Sequence, residues 1–172
     1  MCITTSCKKS SDAQTPGPDN TVVTNVNNEL MLKLVNDTRL AGCTCGTTVM
    51  PPVAALTWNN TLAAAAVGHS KDMAEKNVLT HDSSNGSNTG QRLTAAGYKW
   101  VAYAENIAQG QTTEQQVFND WLKSEGHCKN MMSAQVTEMG VARQGNYWTQ
   151  DFGKRYITMC FKPADVNFNT NV

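Results

Sequence analysis

Apolar positions in the first two thirds of the chain recur at helical spacing, whereas those in the last third form short strand-like runs. Val26, Leu30 and Leu34 repeat every four residues, and Leu62 and Ala66 open a second stripe of the same kind. The pattern predicts four helices, with Asn59 or Asn60 and Thr112 or Thr113 as N-caps of the second and fourth. Those helices run over about 26–39, 59–76, 91–96 and 113–122, with loops at 43–57 and 78–90.

The last third of the chain predicts an antiparallel meander. Three short runs rich in β-forming residues, 139–143, 147–152 and 156–161, are separated by Gly145-Asn146 and Gly153-Lys154. Two-residue connections of this composition are typical of hairpins. Helices followed by strands favour an α+β domain in which the helices pack on a sheet.

Charge and length limit the classes of function. The 172 residues carry 14 basic and 14 acidic side chains, and only 16% of all residues are charged. Nucleic-acid binding needs clustered Lys and Arg, so no nucleic-acid partner is expected. No apolar run approaches the roughly 20 residues that span a bilayer, so membrane contact is expected only through a lipid anchor.

The N-terminal segment, residues 1–24, is interpreted as a targeting remnant and linker rather than as folded structure. Small residues before Cys7 and a polar run after it resemble the end of a bacterial lipoprotein signal, with Cys7 as the lipidated residue. Only three residues precede this motif, so either translation starts further upstream or the resemblance is accidental. Residues 25–163 are predicted to form one domain and residues 164–172 a C-terminal tail.

Four cysteines lie in the body of the chain: Cys43, Cys45, Cys128 and Cys160. Their spacing is poor for a structural zinc site, because no C-x-x-C pair occurs. They form either two disulfides, which would place the protein outside the cytosol, or four buried thiols.

Three side chains are candidates for chemistry: His81, His127 and Glu105. His81 lies in a loop, and His127 is expected at the end of the fourth helix after Gly126. Glu105 lies in an apolar stretch, and its isolated carboxylate must find polar partners. Together they could bind a divalent ion or perform acid–base chemistry. His69 lies on an apolar helix stripe and is interpreted as a buried, hydrogen-bonded core residue.

Eight blocks in order carry a resemblance to a known family: residues 56–59, 69–74, 80–81, 91–98, 104–110, 121–130, 138–142 and 148–152. Over about 25–161 the chain resembles the bacterial branch of the CAP superfamily, the cysteine-rich secretory, antigen 5 and pathogenesis-related 1 proteins. The resemblance implies a three-layer α-β-α sandwich with a mainly antiparallel central sheet, and a cleft lined by two histidines and two acidic residues.

By motif, the family histidines fall on His81 and His127, and the first family glutamate falls on Glu105. The second family glutamate falls on Ser124, which departs from the pattern, and the adjacent Glu125 is an alternative. The resemblance also implies the disulfides Cys45–Cys128 and Cys43–Cys160.

The expected function is that of a secreted or lipid-anchored, extracytoplasmic and monomeric binding module. Its ligand would be a small apolar or peptide-like molecule or a cell-envelope component. The alternatives are a metal-assisted hydrolase of peptide or envelope bonds, with His81, Glu105 and His127 as candidate catalytic residues, and a purely structural domain. A divalent ion such as zinc, bound by His81 and His127 with Glu105 as their partner, is the expected cofactor.

Overall fold

A computed structural model of the chain describes residues 22–156. In this range none of the helices has the length and apolar character needed to cross a membrane. The helices and strands follow in the order α1 (Asn28–Ala41), β1 (Cys43–Cys45), β2 (Thr48–Met50), β3 (Thr57–Trp58), α2 (Asn60–Lys76), α3 (Thr89–Ala95), β4 (Trp100–Gln109), α4 (Glu114–Lys123), α5 (Glu125–Met131), β5 (Glu138–Gln144) and β6 (Tyr147–Arg155).

The main sheet has four strands in the order β3-β5-β6-β4. Strand β3 runs parallel to β5, while the β5–β6 and β6–β4 pairs are antiparallel. Strands β1 and β2 form a separate antiparallel hairpin. These pairings confirm the prediction of an α+β domain with a mainly antiparallel central sheet.

Helices cover both faces of the main sheet. On one face, Met31 and Val35 of α1 and Trp121 of α4 pack in one buried cluster with Trp148 and Phe152 of β6. On the other face, α2 crosses β5 so closely that Gly140 leaves no room for a side chain: a Cβ there would lie 2.2 Å from the backbone nitrogen of Ala63. The predicted three-layer α-β-α sandwich is therefore correct.

The helix ends follow from local hydrogen bonds. Asn59 caps α2 by accepting from the backbone N–H groups of Thr61 and Leu62. Thr113 caps α4 in the same way through the N–H of Gln116. Both are caps that the sequence predicts.

Several predicted elements differ in the structure. The loop expected at 43–57 contains β1, β2 and the start of β3, which are too short to show a periodic pattern. The predicted turn at Gly153-Lys154 is wrong, because β6 continues through it with Gly153 against the ring of Tyr98. Strand β4, which is absent from the sequence prediction, takes the place of the expected third meander strand beside β6. Apart from Tyr156, the run 156–161 lies outside the described residues.

Candidate functional site

The candidate site residues lie around β4, which pairs with β6 alone among the described strands. Glu105 is in the middle of β4, His81 is in the segment between α2 and α3, and His127 is in α5. His127 was expected at the end of α4. In the structure Ser124 ends α4 in an extended conformation, and α5 begins at the next residue.

Glu105 is the centre of the polar contacts. The residue is only 7% exposed, and its Oε1 accepts hydrogen bonds from His81 Nδ1 at 2.8 Å and from Thr89 Oγ1 at 3.0 Å. Its Oε2 accepts from Nη2 of Arg92. The isolated carboxylate of the sequence therefore has three donors, and His81 is one of them, as predicted.

Arg92 fixes the loop that carries His81. Its Nη1 donates to the carbonyl oxygens of His81 at 2.8 Å and of Ser87 at 3.0 Å, while Nη2 reaches Glu105. Arg92 lies on α3, whose first turn is held by a capping box between Asn88 and Gln91. His81 is thus held through its ring by Glu105 and through its backbone by Arg92.

The hydrogen bond between His81 and Glu105 shifts the pKa of each group in the direction that favours its charged form. The Glu105 carboxylate raises the pKa of His81 above its ordinary value and outweighs the opposing effect of partial burial. Burial alone would raise the pKa of Glu105, but the hydrogen bond from His81 and the charge of Arg92 bring it below its ordinary value. The His81 side chain is still 57% exposed, so a strongly held imidazole faces solvent.

His127 is tied to β4 through side-chain amides. Asn106 Nδ2 donates to the carbonyl oxygen of His127 at 3.1 Å, and Asn130 Nδ2 donates to the carbonyl oxygen of Glu105 at 3.1 Å. Burial lowers the pKa of His127, and the charge of nearby His81 lowers it further. The pKa values of the two histidines are therefore shifted in opposite directions.

Glu125 does not take the place of the second family glutamate. Its carboxylate contacts Lys129 and Thr48 and lies against the turn at Gly46, on the β1–β2 hairpin. Ser124 caps neither helix through its side chain. The second acidic position of the family pattern is therefore not filled by either residue.

His69 has the structural role expected from its position. It is fully buried, and its Nε2 lies 2.9 Å from the carbonyl oxygen of Thr80. Ser83 Oγ lies 3.3 Å from its Nδ1. Burial lowers the pKa of His69, so the ring is neutral and links α2 to the loop before His81.

A disulfide anchors the helix that carries His127. Cys45 of β1 is bonded to Cys128 of α5, as the resemblance implies. The Sγ of Cys43 lies 3.7 Å from that of Cys128, and Cys43 has no disulfide partner among residues 22–156. Its expected partner, Cys160, lies outside the described residues.

The described residues do not provide a complete ligand set for the divalent ion that the resemblance implies. Within residues 22–156, Cys43, Cys45 and Cys128 are the only His, Cys, Asp or Glu group of three whose ligand atoms all lie within 4.8 Å of one another, and two of them form the disulfide. His81, Glu105 and His127 are not so close. Because the oxygens of Glu105 already accept three hydrogen bonds, Glu105 can orient His81 but is poorly placed to act as a ligand itself.

The arrangement can present one imidazole in a defined orientation. With Nδ1–H donated to Glu105, the neutral ring of His81 leaves Nε2 as a hydrogen-bond or metal acceptor. Thr89 and Arg92 were missed as site residues, although Arg92 lies inside one of the sequence blocks that carry the resemblance. A buried carboxylate needs a cationic donor, and that requirement could have directed attention to Arg92.

Comparison with known proteins finds a matching family and two curated relatives. The model of the cysteine-rich secretory protein family, CAP, matches residues 32–161. Protein YkwD of Bacillus subtilis (strain 168) is 35% identical over 96 residues, which cover 55% of this chain and 37% of that protein. The membrane protein YlbC of the same organism is 35% identical over 104 residues, covering 60% of this chain and 30% of that protein. The chain thus spans about a third of the length of these curated relatives.

Solved structures share the fold. An extracellular protein with an SCP domain from Bacillus anthracis str. Ames aligns with a TM-score of 0.69 and 31% identity, over 77% of this chain and 42% of that one. An outer surface protein of Borrelia burgdorferi aligns with a TM-score of 0.64 and 20% identity, over 74% of this chain and 92% of that one. Because the family model covers most of the chain and the fold agrees, the chain belongs to the cysteine-rich secretory protein (CAP) family.

Proposed function

We propose that the chain is an extracytoplasmic binding domain that recognises a peptide-like or other cell-envelope component through the exposed ring of His81. The observation that carries this proposal is the half-exposed imidazole of His81, whose ring is held by buried Glu105 and whose backbone carbonyl is held by Arg92. A preorganised polar group of this kind loses little freedom when a ligand binds.

The nature of the site favours binding over covalent catalysis. In the part of the chain that the structure describes, no Ser or Thr hydroxyl and no Cys thiol is hydrogen-bonded to His81 or His127. An activated nucleophile needs such a base beside it. The hydrolase alternative is metal-assisted and would use an activated water instead of a protein nucleophile, so it stays a prediction.

The names of two relatives and the disulfide support the location. The Bacillus anthracis protein is described as extracellular and the Borrelia burgdorferi protein as an outer surface protein. Disulfides such as Cys45–Cys128 persist in oxidising compartments. Lipidation at Cys7 would keep the domain at the envelope, and this part of the proposal concerns a residue outside the described range.

The proposed recognition can be tested by NMR on the histidine rings of the full chain. We expect soluble peptidoglycan fragments to shift the His81 resonances in a saturable manner, and His81→Ala to weaken binding at least tenfold. Lys71→Ala is the matched control, because Lys71 is an exposed residue of α2 that pairs with Glu75 of the same helix. Equal affinity in the His81→Ala variant and the wild type would contradict the proposal.

Zinc is a second proposed ligand and needs an experiment of its own. We propose that Zn²⁺ binds weakly at His81 and His127, because two imidazoles without a third protein ligand form an incomplete site. Calorimetry should then show Zn²⁺ binding in the wild type that is lost in both His81→Ala and His127→Ala. Binding that survives both substitutions would place zinc elsewhere in the chain.

A further inference from the structure

Asp151 is a fully buried carboxyl group that receives no hydrogen bond. It is 0% exposed, and neither of its oxygens has a donor among the described residues. It lies on β6 directly opposite Glu105 of β4, and the alternation of side chains places both on the α2 face of the sheet. Directly opposite residues of neighbouring antiparallel strands have Cβ atoms about 4.5–5.5 Å apart, which brings the side chains of Asp151 and Glu105 within reach of each other.

Two ionised carboxylates in this position could not bond to each other, because both would be acceptors only. A hydrogen bond between them requires that one group carries a proton. Glu105 already accepts from His81, Thr89 and Arg92, and such bonds favour its ionised form. Asp151 has no donor of its own, so it is the member of the pair that keeps the proton.

The acceptor count of Glu105 leads to the same assignment. A carboxylate offers about four lone-pair positions on its two oxygens, and three are used by the donors named above. A protonated Asp151 would fill the fourth. Glu105 would then be a fully satisfied buried carboxylate with one fixed orientation.

The charges around Asp151 do not offer an alternative. Arg92 on α3 faces the pair, but its Nη2 is engaged by Glu105 and its buried Nε has no hydrogen-bond partner, so Arg92 does not bond to Asp151. His69 on α2 is neutral, and the β5 residue in register with Asp151 is Gly140. Burial and the charge of Glu105 both raise the pKa of Asp151 well above its ordinary value, while Arg92 opposes them.

We propose that Asp151 is protonated at neutral pH and donates its proton in a hydrogen bond to Glu105, so that Asp151 is a positioning residue for His81. The chain of contacts then runs from Asp151 through Glu105 to the exposed ring of His81. The protonation of Asp151 does not depend on the proposed ligand or on zinc. Only the effect of Asp151 on ligand recognition by His81 rests on the proposed function.

The protonated state predicts a pH dependence with a definite sign. Below about pH 4 Asp151 is protonated in both the folded and the unfolded chain. Above that pH the unfolded chain loses this proton while the folded chain keeps it, so this group lowers stability as pH rises until its own raised pKa is reached. Ionised carboxylates with lowered pKa values, such as Glu105 and Glu138, contribute with the opposite sign.

Asp151→Asn isolates the effect, because an amide N–H donates to Glu105 as a protonated carboxyl does but does not titrate. Unfolding of the full chain by denaturant should be measured for both proteins between pH 4 and pH 8. We expect similar unfolding constants near pH 4, and a ratio of wild type to variant that grows by up to about tenfold per pH unit above it. The pKa of His81, followed by NMR, should stay raised in the variant.

A ratio that stays constant with pH would overturn the proposal, because it would mean that Asp151 is ionised in the folded chain. A fall of the His81 pKa to its ordinary value in Asp151→Asn would overturn it too. A second measurement needs no variant: with ¹³C-labelled aspartate, one side-chain carboxyl resonance of the wild type should remain at the protonated position at pH 7. If every aspartate resonance is at the ionised position, Asp151 is not the donor.

Discussion

Gly140→Ala is expected to destabilise the protein by about 3 kcal/mol or more. A Cβ at this position would lie 2.2 Å from the nitrogen and 2.7 Å from the Cα of Ala63, and both are backbone atoms of α2. Neither can move by a change of side-chain rotamer, so α2 must shift away from β5. Denaturant unfolding of the variant and the wild type measures the loss.

Gly68→Ala is the matched control in α2, the helix that Gly140 contacts. A Cβ at Gly68 meets nothing within 4 Å, and alanine is favoured over glycine in a helix by about 0.5–1 kcal/mol. The control should therefore be neutral or slightly stabilising. Two variants of equal stability would show that α2 does not approach β5 as closely as the structure has it.

Removal of the Cys45–Cys128 disulfide is expected to cost roughly 4 to 5 kcal/mol in the chain-entropy model. The bond joins residues 83 positions apart and ties β1 to α5, so its loss also frees the helix that carries His127. The double variant Cys45→Ala/Cys128→Ala avoids leaving a new thiol beside Cys43. Its free energy of unfolding should be compared with that of the oxidised wild type.

Mapping the bonds checks the pairing itself. Because Cys43 and Cys45 are separated by one residue and Cys43 Sγ lies 3.7 Å from Cys128 Sγ, peptides alone do not distinguish the two partners of Cys128. Cys43→Ser should keep the link to Cys128, whereas Cys45→Ser should lose it or transfer it to Cys43. Retention of the link in Cys45→Ser and its loss in Cys43→Ser would make Cys43 the native partner. The pairing of Cys43 with Cys160 stays a prediction that the wild-type map tests.

Four of the five described helices could be predicted because their signals are local, whereas α5 was missed and His127 was placed at the end of α4. The apolar stripes and the caps Asn59 and Thr113 are read from neighbouring residues, and the structure confirms them. Strand β4 could not be found in this way. Its residues from Glu105 to Ala108 are all buried, so the alternation of apolar and polar positions that identifies a half-exposed strand is absent.

The site was predictable in part for a similar reason. His81 and Glu105 could be identified from their motifs and from the isolated charge in an apolar stretch. The roles of Arg92 and Asp151 depend on tertiary structure: Arg92 reaches Glu105 from α3, and Asp151 meets it through the register of β4 and β6. Because the sequence did not predict β4, the register between β4 and β6 could not be predicted either.

The chain departs from the family pattern at the second acidic position, which Ser124 occupies. With Ser124 in the second acidic position and Glu125 paired with Lys129, Glu105 is the described acidic residue that is hydrogen-bonded to a candidate site histidine. Glu105 raises the pKa of His81, whereas His127 is half-buried and its pKa is lowered. The proposed recognition is therefore centred on His81, and the two histidines are not expected to act as a symmetric pair.

The most direct test is an NMR titration of the three histidines in the wild-type chain, with His81→Ala and His127→Ala used to assign the resonances. We expect the pKa of His81 above the ordinary value of about 6.5, because Glu105 stabilises its charged form, and those of His127 and His69 below it, because burial favours their neutral forms. A His81 pKa at or below 6.5 would show that Glu105 does not hold the ring, and would contradict the proposed site.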